Sequence, residues 1–283
     1  MLLAILSFLS ATVTAVVCAA TGAFYGYMWL WLVPSVYLGS FLVFIGLAFL
    51  FLLLVCKCID PEKNYEKDSL WFRRMVLWYI DGILTILPIK IRTRGLEKLP
   101  KNGRFLLVCN HLHNIDPVFL LNTFPKSQLS FVAKQETKQM FLLDKVLPKL
   151  LCPYINREND REALKTILRC IQLLKTDTVS IAIFPEGGIN PYRKLAHFRP
   201  GVFKIAQKAE VPIVVCTLRN TQYALAKVKK LQKAEVELHL LDVIPVEEHR
   251  NKTTVEVAER IYTMMADDLG PENVLTPEEE ENT

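Results

Sequence analysis

Phe105-Leu106-Leu107-Val108-Cys109-Asn110-His111-Leu112-His113-Asn114-Ile115-Asp116-Pro117 is the stretch on which the reading of this chain turns. The unbroken apolar run Phe105 to Val108 has the length and composition of a buried strand, and Asp116 followed by Pro117 has the form of a helix start. Strand, polar turn and helix in that order make one step of an α/β fold. The turn would present His111 at the strand end, where an imidazole titrating near neutral pH can take a proton from a hydroxyl and return it. A carboxylate at Asp116, on the other ring nitrogen, would fix the tautomer and stabilise the imidazolium. An Asp-Pro pair alone is commonly a helix N-cap, and a lone histidine is commonly a packed one. Their pairing after a strand, together with a second strand end downstream, favours the catalytic reading. That second end is Phe184-Pro185-Glu186-Gly187-Gly188, after the apolar run Val179 to Phe184. In an open parallel sheet, ligands bind at strand C-termini.

Outward from these two strands the alternation continues. Strand candidates near Leu129 to Val132, Ile213 to Thr217 and Val236 to Val243 are separated by helical patterns over Arg161 to Lys175 and Val202 to Lys208, and a last helix is expected over about Thr254 to Leu269. The fold class is α/β, a largely parallel sheet covered by helices. The 283 residues leave roughly two hundred for this core once the hydrophobic front and the acidic end are removed.

These residues resemble the glycerolipid acyltransferases typified by bacterial 1-acyl-glycerol-3-phosphate acyltransferase, from about Ile89 to about Val246. Asn110, His111 and Asp116 match the first motif of that family, and Pro153-Tyr154-Ile155-Asn156-Arg157 looks like the second. Phe184 to Gly187 match the third, Phe-Pro-Glu-Gly, and Val211-Pro212-Ile213-Val214 the fourth. The resemblance implies direct acyl transfer, with His111 deprotonating the free hydroxyl of a lysophospholipid, which attacks the thioester of acyl-CoA or acyl carrier protein as co-substrate. It implies that Asp116 orients His111, that Glu186 and Gly187 help place the glycerol, and that Arg157 binds its phosphate. A planar fork of donors suits a phosphate better than an ammonium does. The family usually continues its third motif with Thr and Arg, whereas Gly188 and Ile189 stand here. Arg193, Lys194 and Arg199 are the candidates to supply the lost charge; otherwise they are solvated loop residues, and the acceptor would be another lysophospholipid or a monoacylglycerol. No Gly-x-Ser-x-Gly turn points to a covalent acyl-enzyme, and Cys109 reads as strand packing.

From Met1 through Cys56 there is no Asp, Glu, Lys, Arg or His. That is room for two membrane spans, expected over Leu2 to Ala20 and Pro34 to Val55, with Tyr25, Tyr27, Trp29 and Trp31 as an interfacial belt between them. A cleaved signal peptide would have a basic start, which is missing. Lys57, Lys63, Lys67, Arg73 and Arg74 follow the second span and place the catalytic domain on the cytoplasmic face. The organisation expected is a two-helix anchor (1–56), a juxtamembrane basic and amphipathic segment (57–88), an acyltransferase domain (89–270) and an acidic disordered tail (271–283). The stretch Trp71 to Leu87 either lies on the bilayer or is a core helix.

The net charge is +5, and the tail alone contributes five glutamates, so the rest carries +10. A basic body suits an anionic bilayer or an anionic acyl donor; nothing argues for nucleic acid. The cluster Lys227, Lys229, Lys230 and Lys233 reads as an exposed helix face, with a docking site for carrier protein as the other reading. Seven cysteines, several in apolar runs, suggest reduced thiols. His111-Leu112-His113 with Asp116 superficially matches a metallohydrolase motif, but Asp116 is one residue late and only His197, His239 and His249 remain to complete a site, so no metal is expected. A membrane scaffold without turnover is the non-enzymatic alternative, against which the intact His111, Asp116 and Glu186 stand.

Overall fold

The computed structural model describes residues 1–23, 27–156 and 159–281. In chain order the helices are α1 (Leu2–Thr21), α2 (Trp29–Lys57), α3 (Leu70–Ile86), α4 (Asp116–Thr123), α5 (Leu143–Lys149), α6 (Asp160–Lys175), α7 (Lys204–Ala209), α8 (Thr221–Lys229), α9 (Val246–His249), α10 (Thr254–Leu269) and α11 (Pro277–Glu281). The strands are β1 (Ile89–Arg94), β2 (Leu106–Cys109), β3 (Leu129–Phe131), β4 (Ala133–Lys134), β5 (Tyr154–Ile155), β6 (Ser180–Ile183), β7 (Ile213–Arg219) and β8 (Ala234–Ile244).

Six strands form one sheet in the order β1-β8-β7-β2-β6-β3, parallel except for the β7–β8 pair; β4 and β5 pair separately. The central strands β2 and β6 are buried along their whole length, as expected for parallel strands covered on both faces. Odd and even positions divide between two cores. Leu107 and Cys109 of β2 pack with Phe119 and Leu120 of α4 and Phe72 and Met75 of α3. Leu106 and Val108 pack on the opposite face with Cys170 and Leu173 of α6, Ile205 of α7 and Ile261 and Met265 of α10. The expected class, a largely parallel sheet between helices, is the one observed.

The differences have local causes. β1 alternates Ile89 and Ile91 with Lys90, Arg92 and Arg94, and as an edge strand it carries charges that mask its apolar face. Helix α2 begins at Trp29, not Pro34: a proline at its sixth position forfeits only one backbone bond, and its fixed φ suits a helix. Trp29 and Trp31 thus lie within α2, and Tyr25 falls outside the described residues. Both α1 and α2 are long and apolar enough to cross a membrane. They meet along a seam of α1 with a four-residue repeat, Leu6, Ser10, Thr14 and Cys18, where the Ser10 and Thr14 hydroxyls are satisfied by the carbonyls of Leu6 and Ser10.

Helix α3 has a core-facing side and an exposed apolar side. Phe72, Met75 and Val76 face the core, whereas Trp71, Trp78, Ile83 and Ile86 are exposed. Arg73, read from sequence as part of a basic membrane flank, is buried: it pairs with Asp68 at 2.7 Å and donates to the carbonyls of Leu129 and Leu150. It is a tie between β3 and the end of α5, because a buried guanidinium needs every donor used.

The described part of the tail expected to be disordered, residues 271–281, follows a definite path instead. The amide of Leu195 donates to the Asn273 carbonyl, the Leu195 carbonyl accepts from the Leu275 amide, and Leu275 is buried. Two apolar residues, Val274 and Leu275, offset the acidic composition on which that expectation rested. Lys227, Lys229 and Lys230 are exposed on and just after α8, and all seven cysteines are free.

Candidate active site

β2 and β6 are neighbours in parallel register, with Val108 opposite Ile183. The chain leaves β2 for β3 by one side and leaves β6 for β7 by the other, so a crevice opens where these two strands end. His111 and Glu186, each three residues beyond that matched pair, face each other across it: the His111 amide donates to Glu186 Oε1 at 2.7 Å. Asn110 fixes the other side, its side chain donating to the Leu218 carbonyl and accepting from the Leu218 amide on β7. The His111 backbone is thus held from both neighbouring strands.

Within the turn, Asp116 Oδ2 takes three donors: His111 Nδ1 at 2.8 Å and the amides of Leu112 and His113 at 2.7 and 2.8 Å. Since Nδ1 faces a carboxylate, it carries the proton, and Nε2 is left as the basic nitrogen. The Asp116 side chain is fully buried, while that of His111 keeps 14% exposure. Phe184 stacks on the imidazole with ring centroids 4.0 Å apart. A base with a fixed tautomer, one face packed and the free nitrogen accessible, is equipped to take a hydroxyl proton. The stacking of Phe184 and the clamp by Asn110 were not legible as roles, although both residues sit inside the motifs.

Glu186 spends both oxygens on the protein, Oε2 accepting from the Ala196 amide at 3.1 Å. Burial, aided by the nearby Asp116 charge, pushes its carboxyl up to about 8, against the lowering effect of the two amide bonds. With a folded value above the ordinary 4.5, its contribution to stability is complete below about 4.5 and is lost as pH rises through about 8. Comparing urea midpoints of the native chain and Glu186→Gln across pH 5–9 isolates this group. The difference between the two should change steadily toward alkaline pH, and a constant difference would place the carboxyl in the usual range.

Gly187 is held at φ +83, and a Cβ there would come within 2.6 Å of Arg199 Nε. Gly187→Ala should therefore cost about 1–3 kcal/mol in backbone strain and displace Arg199; an unchanged melting temperature would refute that. The other loop residues divide. Arg193 Nη1 donates to the Leu112 carbonyl, which brings its guanidinium to the turn that carries His111. Lys194 is engaged by Glu279 at 2.8 Å, and Arg199 lies over Gly187 with its amide on the Pro185 carbonyl. Arg157 lies outside the described residues. The histidines considered for a metal have other partners: His197 faces Glu280, His239 faces Asp268, and His249 Nε2 meets the Val211 carbonyl.

A family model described as Acyltransferase matches residues 90–219. A protein of Mycoplasma pneumoniae named probable 1-acyl-sn-glycerol-3-phosphate acyltransferase is 30% identical over 197 residues, 66% of this chain and 73% of that one. The chain belongs to the acyltransferase family. The human 1-acyl-sn-glycerol-3-phosphate acyltransferase alpha is 24% identical over 77% of this acyltransferase and 76% of its own length. The crystal structure of the 1-acyl-sn-glycerophosphate (LPA) acyltransferase from Thermotoga maritima superposes with a TM-score of 0.55, at 24% identity, over 75% of this chain and 86% of that one. That likeness concerns the fold.

Proposed function

We propose that this acyltransferase transfers a fatty acyl group from acyl-CoA or acyl carrier protein to the free hydroxyl of 1-acyl-glycerol-3-phosphate, giving phosphatidic acid at a membrane. The observation that carries the reading is the His111–Asp116 couple at the crevice between β2 and β6. His111 Nε2 takes the hydroxyl proton as the oxygen attacks the thioester carbonyl; the collapsing adduct expels the thiolate, which regains the proton from the imidazolium. Asp116 stabilises that imidazolium. Arg157 is assigned to the acceptor phosphate, and Arg193, one bond from the catalytic turn, is the candidate to take the place of the basic residue replaced by Ile189. The names of the relatives support this acceptor. The two apolar helices support a membrane anchor, and Lys57, Lys63, Lys67 and Arg74 after them favour a cytoplasmic catalytic face.

The test is acyl transfer by the reconstituted full chain, given one labelled acyl-CoA, or the same acyl group on carrier protein, and a panel of 1-acyl-glycerol-3-phosphate, lysophosphatidylcholine and monoacylglycerol. Conversion of the phosphate monoester alone is the expected result. Preference for lysophosphatidylcholine or monoacylglycerol would overturn the acceptor and implicate the Ile189 departure; no transfer from either donor would return the chain to a scaffold.

A further inference from the structure

A second polar cavity, of about 140 Å³, lies on the α10 face of the sheet, lined by Arg92 and Arg94 of β1, Thr217 and Arg219 of β7, Glu237 and His239 of β8, and Asp268 of α10. The register explains the gathering. Arg94 is opposite His239 on one side of β8, and Thr217 is opposite His239 on the other, so residues of one face of three adjacent strands converge. Helix α4, which carries Asp116, packs on the other face.

Of the two acids lining this cavity, Asp268 is used up. Asp268 accepts from Thr217 Oγ1 at 2.6 Å and meets His239 Nδ1 at 2.7 Å, while Arg219 donates to its carbonyl and lies 3.6 Å from its carboxylate. Arg92 is paired with Glu235. Arg94 makes no ion pair among the described residues, Arg219 has further donors, and His239 keeps Nε2. With Arg92 held by Glu235 and Asp268 engaged by Thr217, His239 and Arg219, the groups left to meet a ligand are Arg94, the remaining donors of Arg219 and His239 Nε2, beside the Glu237 carboxylate. Charged residues on an edge strand commonly only discourage strand pairing, but that does not require a concave site with an Asp-anchored histidine at its back.

The geometry points to a binding site for a phosphoryl dianion, formed by Arg94, Arg219 and His239 and separate from the His111 site. A planar donor fork and an imidazole Nε2 are the groups that recognise phosphate oxygens. The site also has a line to catalysis, because Leu218, between Thr217 and Arg219, is the residue clamped by Asn110, next to His111.

The dianion has two sources, free phosphate or a lipid headgroup. Phosphorus NMR of inorganic phosphate with the detergent-solubilised full chain, alone and against short-chain phosphatidic acid, reads both. Arg94→Gln lies on an exposed edge strand and should leave basal transfer unchanged while weakening phosphate binding about 10-fold or more, the scale of one charged hydrogen bond; Arg157→Ala should leave binding intact. Displacement by phosphatidic acid then assigns the site to a headgroup, and its failure assigns it to the free ion. Binding that Arg157→Ala removes and Arg94→Gln spares, or no saturable binding of either probe, overturns the site.

Discussion

Replacing His111 with alanine should lower acyl transfer by about 10²- to 10⁴-fold, the range that a positioned general base supplies. The structure gives this variant unusual clarity. The contacts that hold position 111 in place are made by its backbone amide to Glu186 and by the neighbouring Asn110 side chain to Leu218, and neither depends on the imidazole. Alanine therefore removes the base and its stacking on Phe184 while leaving the turn tied to β6 and β7. The melting temperature should move little and the acceptor KM should hold, so that the loss appears in kcat. Transfer near the native rate would reject His111 as the base.

What the sequence disclosed follows from distance along the chain. His111 and Asp116 are five residues apart, and an intervening turn closes them whatever the rest of the fold does. Glu186 is 75 residues away from His111, yet its neighbourhood was legible, since both motifs end apolar strands and a parallel sheet aligns such ends. Its partners were not: they are backbone amides, which leave no trace in side-chain identity. The same holds for Arg73, whose letter in a basic run suggests a membrane flank until two buried carbonyls are seen to need it. Composition misled most at the tail, where four successive glutamates outweigh Val274 and Leu275 in any average, although those two residues and the backbone of Leu195 decide its path. The His239–Asp268 pair lies 29 residues apart and joins a strand to a helix end, so no local pattern announced it.

Asp116 poses the sharper question, because the bland reading of this residue and the catalytic one are both true of its contacts. Two of the three donors to Oδ2 are the amides of Leu112 and His113, as in any capped turn; the third is the imidazole. Asparagine separates the roles. Its amide oxygen can take the place of Oδ2 and keep all three donors, while its NH₂ falls where Oδ1 is buried without a hydrogen-bond partner. The turn should survive, weakened by about 1–3 kcal/mol for the NH₂ left unsatisfied. The negative charge that stabilises the imidazolium is gone, however, and transfer should fall about 10²- to 10³-fold, the scale of losing one preorganised electrostatic contact in a dry site. Alanine would strip the two backbone amides of their acceptor as well, so Asp116→Ala should unfold at lower denaturant than Asp116→Asn. Measured together, stability and kcat sort the two functions: an Asn variant with native kcat would make Asp116 a turn-former only, whereas a slow but folded one shows that its charge acts on His111.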